Sequence, residues 1–268
     1  MTQTQPIGEL LRDWRQRRRL SQLDLALDAE ISTRHLSFVE TGRAQPSRDM
    51  ILRLAAELEV PLRERNAMLL SAGYAPIFAD RPLDDQSLSQ ARAAIEALLK
   101  AHEPFPALAV DRHWHLVTAN AGGTALLRGV APHLLEPPIN VLRVSLHPEG
   151  AAPWIENLAE WKAHLLHRLR QQFEASADPA LLELMEELRG YPAPPPAAPN
   201  PGALAVPLIV NGPSGRMSFL SATLLFGSPL DVTLSELAIE IFLPADAETV
   251  ARLRGASAAP AASQSPRR

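Results

Sequence analysis

The first part of the chain, residues 7–73, carries short runs of apolar residues at helical spacing that are separated by turn signals. The first run recurs at i, i+3, i+4 and i+7 and consists of Ile7, Leu10, Leu11 and Trp14. Ser21 and Asp24 have the spacing of a capping box, so a second helix is predicted to begin there. Ser32 as N-cap and Gly42 as C-terminal glycine bound a third helix.

Two further helices complete this N-terminal part. Pro46-Ser47 begins a fourth helix, and Pro61 begins a fifth that ends at Gly73. The sequence therefore predicts an all-α domain of five helices over residues 1–75. The following segment, residues 76–86, is interrupted by proline and is predicted to be a linker.

The pattern changes beyond residue 87, where strands join the helices. The predicted elements are a helix over 88–99, strands over 107–111 and 115–119, helices over 154–173 and 179–189, and strands over 204–210, 216–226 and 236–243. Residues 190–202 are rich in proline, which lacks an amide donor, and predict a loop. Residues 255–268 predict a disordered tail. Together these assignments indicate an α+β protein of two domains, the second over residues 87–254.

Composition removes several classes of protein. The 268 residues suffice for two domains with separate cores. No cysteine is present, which excludes disulfides, thiolate metal sites and cysteine nucleophiles. The N-terminal residues lack a signal-peptide pattern, and no apolar run approaches the ~20 residues of a membrane span. A cytoplasmic protein with no membrane contact is the expectation.

The net charge of −4 is distributed unevenly along the chain. Residues 1–80 hold 11 Lys/Arg and 11 Asp/Glu, and the remainder holds 15 and 19, so the acidic excess lies in the second part. Basic residues cluster near the first helix, namely Arg12, Arg15, Arg17, Arg18 and Arg19. Such a cluster suits phosphate binding, and it also suits an ordinary solvated helix face.

The third helix has a face that could contact DNA bases. Leu36 and Val39 lie at i, i+3 spacing and are predicted to face inward. The outward residues are then Thr33, Arg34, Ser37 and Phe38. Arginine can donate two hydrogen bonds to guanine, and a methyl group or aromatic ring can contact the thymine methyl. A helical hairpin with these residues simply solvated fits the same periodicity.

A resemblance bears on this choice. The segments that carry it are Ser21–Ala26, Ile31-Ser32, Val39–Arg43, Pro46-Ser47 and Leu52–Ala55, and together they resemble the Xre-type (Cro and phage-repressor-like) helix-turn-helix. The resemblance implies binding to a double-stranded DNA operator, with base edges facing Thr33, Arg34 and Phe38. It implies phosphate contacts by Gln22, Thr41, Arg43 and Arg48, and an inward salt bridge between Glu40 and Arg15. Glu30 departs from the family pattern, which often has glycine in this turn.

The second domain shows no pattern of catalytic residues. Gly212–Gly215 lacks the spacing of a nucleophile elbow and suits a hairpin turn. The histidine pairs His164/His167 and His113/His115 could hold a metal, but solvated side chains beside a buried stripe are the preferred interpretation. We therefore predict no enzyme activity, no cofactor and no metal.

The last three strands are unusually apolar, which suggests that both faces of the sheet are covered. A pocket for a small molecule on one face would be lined by Phe219, Leu224, Phe226, Ile239 and Ile241. A packed core with a dimer interface on the other face explains the same pattern equally well.

A second resemblance covers residues 90 to 250. The segments Pro106–Trp114, Thr118–Asn120, His147–Gly150, Asn157–Trp161, Pro229–Leu237 and Phe242–Asp246 resemble the MmyB-like ligand-binding domain found behind Xre-type domains. This resemblance implies a PAS-like antiparallel sheet flanked by helices, and a pocket for a fatty acid or similar apolar molecule. A carboxylate headgroup would need a cationic partner, for which the candidates are Arg112, Arg128, Arg143 and Arg216.

These observations predict a ligand-responsive transcriptional regulator that binds DNA as a homodimer, with half-sites about 34–36 Å apart. In a first alternative, the second domain binds no ligand and serves dimerisation or protein interaction. In a second alternative, an enzyme in the C-terminal domain uses DNA binding for autoregulation.

Overall fold

The structure is a computed structural model that describes residues 5–195, 205–212 and 215–258. The chain forms two compact units. The first contains the chain up to Leu83 together with Gln171–Asp178 and Ser228–Ser235, and the second contains Asp84–Arg170, Pro179–Gly227 and the residues from Glu236 onward. An all-α unit followed by a unit with an antiparallel sheet confirms the predicted α+β class.

The first unit holds the five predicted helices. They are α1 (Ile7–Arg17), α2 (Gln22–Asp28), α3 (Thr33–Glu40), α4 (Arg48–Glu57) and α5 (Leu62–Ser71). The serine caps occur where the sequence predicts them. Ser21 and Asp24 exchange both bonds of the capping box, and Ser32 and Ser47 each accept a backbone N–H of the first turn that follows.

The core of the first unit is mainly apolar and closely packed. Its completely buried members include Leu11, Leu25, Leu36, Val39, Ile51, Leu54, Leu58 and Leu69. Each such side chain contributes roughly 1.5–3 kcal/mol through removal from water. Helices α1 and α3 approach so closely that a Cβ at Gly8 would lie 2.4 Å from the carbonyl oxygen of Val39. Only glycine fits this crossing, which fixes the position of α3.

The segment after α5 is held to the first unit by hydrogen bonds to the side chain of Asn66. The Oδ1 atom of Asn66 accepts the N–H groups of Ile77 and Phe78, both at 3.1 Å, and its Nδ2 donates to the Phe78 carbonyl at 2.7 Å. Ala79 then pairs in parallel with Asp231. Residues 76–83 lie in the segment predicted as a linker, but they belong to the first unit. Polar contacts to residues distant in sequence hold them there, and such contacts leave no apolar periodicity in the sequence.

The second unit contains a five-stranded antiparallel sheet with strand order β2-β1-β5-β4-β3. The strands are β1 (Ala107–Val110), β2 (Leu116–Ala119), β3 (Leu208–Gly212), β4 (Gly215–Leu225) and β5 (Ala238–Pro244). In the register, Glu240 of β5 lies opposite Leu108 on one side and Thr223 on the other. All five strands correspond to predicted strands, with shifted ends.

The remaining helices are α6 (Ser89–Ala101), α7 (Ala121–Ala125), α8 (Val141–Leu146), α9 (Leu158–Ser176), α10 (Pro179–Gly190), α11 (Val232–Ser235) and α12 (Ala247–Ala258). Helices α7, α8 and α11 are too short to show a helical period, so the sequence pattern did not predict them. Helix α12 continues to Ala258, past the predicted start of the tail at residue 255. Residues 259–268 of the predicted tail and residues 196–202 of the predicted loop lie outside the described residues. Within the described part of the chain, no helix has the length and apolar character needed to cross a membrane.

Candidate DNA interface and ligand cavity

Helix α3 presents a polar and aromatic face outward. Leu36 and Val39 are fully buried, whereas Arg34 is exposed and Thr33, Ser37 and Phe38 are partly exposed. The Arg34 guanidinium lies 5.3 Å from the centroid of the Phe38 ring. This cation–π contact restrains the arginine on the helix surface while leaving its donors accessible. The four predicted base-contacting residues thus lie on the accessible side of one helix.

The buried end of α3 is held by an ion pair with α1. Arg15 donates from Nε to Oε1 of Glu40 at 2.6 Å and from a terminal nitrogen to Oε2 at 2.9 Å. Gln22 also donates to Oε2, at 2.8 Å, and Arg12 donates to the Glu40 carbonyl at 2.9 Å. Burial alone would raise the pKa of Glu40, but the hydrogen bonds from Arg15 and Gln22 outweigh it and the pKa is lowered. Glu40 is therefore ionised and joins three elements.

The residues predicted to contact phosphates fall into two groups. Arg43 and Arg48 are exposed, and neither side chain has an ion-pair partner in the part of the chain that the structure describes. Thr41 donates its hydroxyl to the Ser37 carbonyl at 2.7 Å, and Gln22 donates to Glu40. The two arginines are thus available to a ligand, while Thr41 and Gln22 already use a donor inside the fold.

The arginine cluster of α1 is largely used within the first unit. Besides Arg12 and Arg15, Arg18 donates to the carbonyls of Leu58 and Glu59 at 2.8 and 3.0 Å. Arg17 lies 5.6 Å from the ring of Phe173. The sequence allowed a phosphate-binding cluster here. In the structure, most of these arginines instead donate to carbonyl groups at helix C-termini or lie over aromatic rings.

Glu30 occupies the turn between α2 and α3 in the left-handed conformation, with φ of 53°. The turn therefore has the geometry for which glycine is suited, although a glutamate fills it. A non-glycine residue in this region carries strain on the order of 1 kcal/mol. The departure from the family pattern leaves the turn intact and adds a local strain.

The second unit encloses a cavity of about 420 Å³ between the sheet and its helices. Its walls are mainly apolar and include Trp114, Trp154, Trp161, Leu165, Phe219 and Phe242. The volume falls within the range of small-molecule pockets, roughly 300–1,000 Å³. Aromatic walls of this kind fit the hydrocarbon part of a ligand.

The polar groups of the cavity wall are few. Arg168 donates to both carboxylate oxygens of Glu240, at 2.9 and 2.7 Å, and to the Thr223 hydroxyl at 2.7 Å. Its guanidinium also lies 4.7 Å from the centroid of the Trp114 ring. Arg128 lines the cavity as well and is exposed, and its side chain has no hydrogen-bond or ion-pair partner among the described residues. Arg128 is therefore a cation of the wall that is available to an anionic ligand.

The structure corrects several of the predicted pocket residues. Phe219 and Arg128 line the cavity. Leu224, Ile239 and Ile241 do not, because Phe219, Glu240 and Phe242 face the cavity and alternation along β4 and β5 turns those three to the opposite face. Phe226 lies beyond the end of β4 and outside the lining.

Three of the four candidate arginines lie outside the cavity. Arg112 is 3.5 Å from Glu236, Arg143 is 2.8 Å from Glu187, and Arg216 is 2.9 Å from Glu156. The sequence pattern missed Arg168, Glu240 and the three tryptophans of the wall. One signal was present in the sequence, since a lone acid within the apolar strand Ala238–Pro244 indicates a buried charge that needs a partner.

Comparisons with known proteins agree with both resemblances. Residues 91–256 match the family model described as MmyB-like transcription regulator ligand binding domain, and residues 6–68 match a helix-turn-helix domain. A search of curated proteins found no match. The two matched families are regulatory and ligand-binding domains, not enzymes. They confirm the prediction of a regulator rather than an enzyme.

Proposed function

Because this chain belongs to the MmyB-like transcription regulator ligand binding domain family, we propose that an apolar ligand controls how tightly its helix-turn-helix domain binds an operator. The chain is a DNA-binding transcription regulator with a ligand-binding domain. Its proposed place of action is the cytoplasm.

For DNA binding, we place α3 in the major groove. Arg34 would donate to guanine, and Thr33, Ser37 and Phe38 would contact neighbouring base edges. Arg43 and Arg48 would contact phosphates directly. Gln22 would do so with its second amide hydrogen, and Thr41 by exchanging its hydroxyl bond to the Ser37 carbonyl. The observation that carries this proposal is the exposed face of α3. The buried pair of Arg15 and Glu40 holds the other side of this helix against α1.

Operator selection tests the proposal. Purified full-length chain is mixed with random duplexes at fixed salt, and the retained DNA is sequenced. We expect a pseudo-palindrome with half-sites about 34–36 Å apart, because a homodimer would place one α3 in each half-site. Genome-wide mapping then shows which genes lie beside these sites. Retention without any sequence preference would contradict specific recognition.

An apolar stripe on the outer face of the sheet supports the proposed homodimer. Leu220, Leu224 and Leu243 lie on the face opposite the cavity and are 37%, 40% and 42% exposed. Leu220 and Leu243 are direct partners across β4 and β5. A second copy would cover this stripe, since contiguous exposed apolar side chains favour association. Leu220→Lys should shift sedimentation toward the monomer, and a monomeric wild-type chain would contradict the assembly.

For the ligand, we propose a fatty acid or a similar amphiphile with an anionic headgroup. The aromatic cavity would take the hydrocarbon part, and Arg128 would bind the headgroup. Arg128→Ala should weaken ligand binding roughly tenfold to hundredfold, as expected for a charged hydrogen bond. Arg216→Ala is the matched control because its exposed pair with Glu156 lies outside the cavity.

The regulatory step has its own test. Ligand is extracted from denatured protein, identified by mass spectrometry and removed, and operator DNA is titrated with and without it at fixed salt. Linkage requires that the ligand bind the free and DNA-bound protein unequally, and coupling of ~1–3 kcal/mol changes operator affinity about 5–150-fold. Equal operator affinities at saturating ligand would leave the ligand with a structural role only.

A further inference from the structure

The turn between β1 and β2 brings three metal-ligating side chains together. They are Asp111, His113 and His115, and their ligand atoms all lie within 4.8 Å of one another. The Nδ1 atom of His115 is 3.0 Å from Oδ2 of Asp111. We propose that this Asp-x-His-x-His turn binds a divalent transition-metal ion of the zinc class. The proposal is independent of the function of the DNA interface and of the ligand in the cavity.

The carboxylate of the site is oriented before any metal arrives. Oδ1 of Asp111 accepts the backbone N–H groups of His113 and His115, both at 2.8 Å. This arrangement holds the carboxylate and leaves Oδ2 facing the His115 ring. Carboxylates that bind metals in proteins are commonly fixed by such outer hydrogen bonds.

The backbone of the turn is held from outside the site. Asn140 donates from Nδ2 to the His113 carbonyl at 2.9 Å, and the Val141 N–H donates to the Trp114 carbonyl at 2.9 Å. Trp114 itself is buried in the cavity wall. Backbone atoms and the buried Trp114 therefore hold the folded turn, so its conformation is set independently of a metal ion.

The ligand chemistry selects the class of ion. Two imidazoles and one carboxylate suit zinc, nickel, cobalt and related ions better than calcium or magnesium, which prefer oxygen ligands. Zinc binds histidine nitrogen and carboxylate oxygen at about 2.0–2.2 Å, so ligand atoms around it lie roughly 3–3.5 Å apart. The ligand atoms of the turn lie within 4.8 Å of one another, so binding would require them to approach by about 1–2 Å at most. Water would complete the coordination.

A second cluster provides a comparison within the same chain. His133, His147 and Glu149 also lie within 4.8 Å, but His133 and Glu149 are 52% and 66% exposed and are 3.9 Å apart. Nδ1 of His147 already accepts the Glu149 N–H at 3.1 Å. This cluster lacks the oriented carboxylate of the turn, so the turn is the stronger site.

The test uses the full-length chain after treatment with a chelator. Zn²⁺ binding is measured by calorimetry, and Co²⁺ binding by visible absorption, whose intensity and position report the coordination geometry of the ion. We expect one dominant site per chain. Asp111→Asn, His113→Ala and His115→Ala should each weaken Zn²⁺ binding about tenfold or more. Asp111→Asn keeps the oxygen that accepts the two backbone N–H groups, so the turn is preserved.

The control is His167→Ala, which removes an exposed histidine outside both clusters and should leave Zn²⁺ affinity unchanged. Thermal unfolding gives a second readout, because an ion that binds only the folded chain raises the melting temperature. Zn²⁺ should stabilise the wild type and His167→Ala but not the three turn variants. Unchanged affinity in the turn variants, or loss only in His133→Ala and His147→Ala, would overturn the proposal.

Discussion

Each unit of this protein buries an arginine–glutamate pair, and the surroundings of the two pairs differ. Arg15 and Glu40 are 11% and 1% exposed and join α1 to α3 in a packed core. Arg168 and Glu240 are 20% and 4% exposed and line a cavity of about 420 Å³. The first pair borders close-packed side chains, and the second borders space that water or a ligand can occupy.

This difference shows how one chemical pair serves two purposes. A buried ion pair adds little net stability, but removal of one partner leaves an uncompensated charge whose cost depends on access to water. In the first unit the pair fixes α3, the helix that is proposed to enter the major groove. In the second it gives an otherwise apolar wall a polar region. Breaking each pair in turn should separate these roles.

The largest effect is expected for Glu40→Ala. Arg15 would be left buried without its partner, so the first unit should lose ~3–5 kcal/mol of unfolding free energy, and DNA binding should fall with it. Glu240→Ala is the comparison. Water in the cavity can hydrate Arg168, and the loss should be about 1–3 kcal/mol. Hydrogen exchange measured unit by unit gives both values, and equal losses would contradict the contrast between the two surroundings.

Acid should weaken the first unit through the same residue. The pKa of Glu40 is lower in the folded chain than in the unfolded chain, because the hydrogen bonds from Arg15 and Gln22 outweigh the effect of burial. The unfolded chain therefore takes up the proton first as pH falls. The contribution of Glu40 is present above its ordinary pKa of about 4.3 and is lost as pH decreases through the folded value. Urea unfolding at a series of pH values should show this slope in the wild type and a shallower one in Glu40→Gln.

Replacing either of two arginines of the proposed DNA interface by alanine should weaken DNA binding, each in a different way. Arg34→Ala should lose about 1–3 kcal/mol on the operator and relax preference at one base pair, since Arg34 is proposed to contact a base. Arg43→Ala should weaken all sequences alike and lower the salt slope by about one unit, as expected for a phosphate contact. Binding titrations on operator and unrelated DNA at several salt concentrations measure both. If both variants lost the same affinity on operator and on unrelated DNA, Arg34 would not be a base-recognition residue.

The smallest expected effect is a gain in stability. Glu30 has φ of 53° in the turn before α3, and glycine adopts this conformation without strain. Glu30→Gly should raise the unfolding free energy of the first unit by up to about 1 kcal/mol, reduced by the greater freedom of glycine in the unfolded chain. Ala56→Gly, at an exposed position inside helix α4, is the control and should destabilise. A loss of stability in Glu30→Gly would show that its side chain contributes to the turn.

The sequence by itself determined the five helices of the first unit, their serine caps and the inward position of Leu36 and Val39. These features depend on short-range spacing, because capping bonds and helical periodicity involve residues within a few positions of one another. The same local signals located the strands of the second unit. The motifs of both units were sufficient to indicate the families that the comparisons found.

Only the tertiary structure decided which residues enclose the cavity. Side chains alternate between the two faces of a strand, and the register and the covering helices decide which face borders the cavity. The sequence pattern assigned Ile239 to the cavity, whereas the structure places its neighbour Glu240 there. The selection of Arg128 over Arg112, Arg143 and Arg216 depends on carboxylates distant in sequence that pair with the other three. Long-range partners of this kind leave no periodic signal, because their positions follow from how the elements pack.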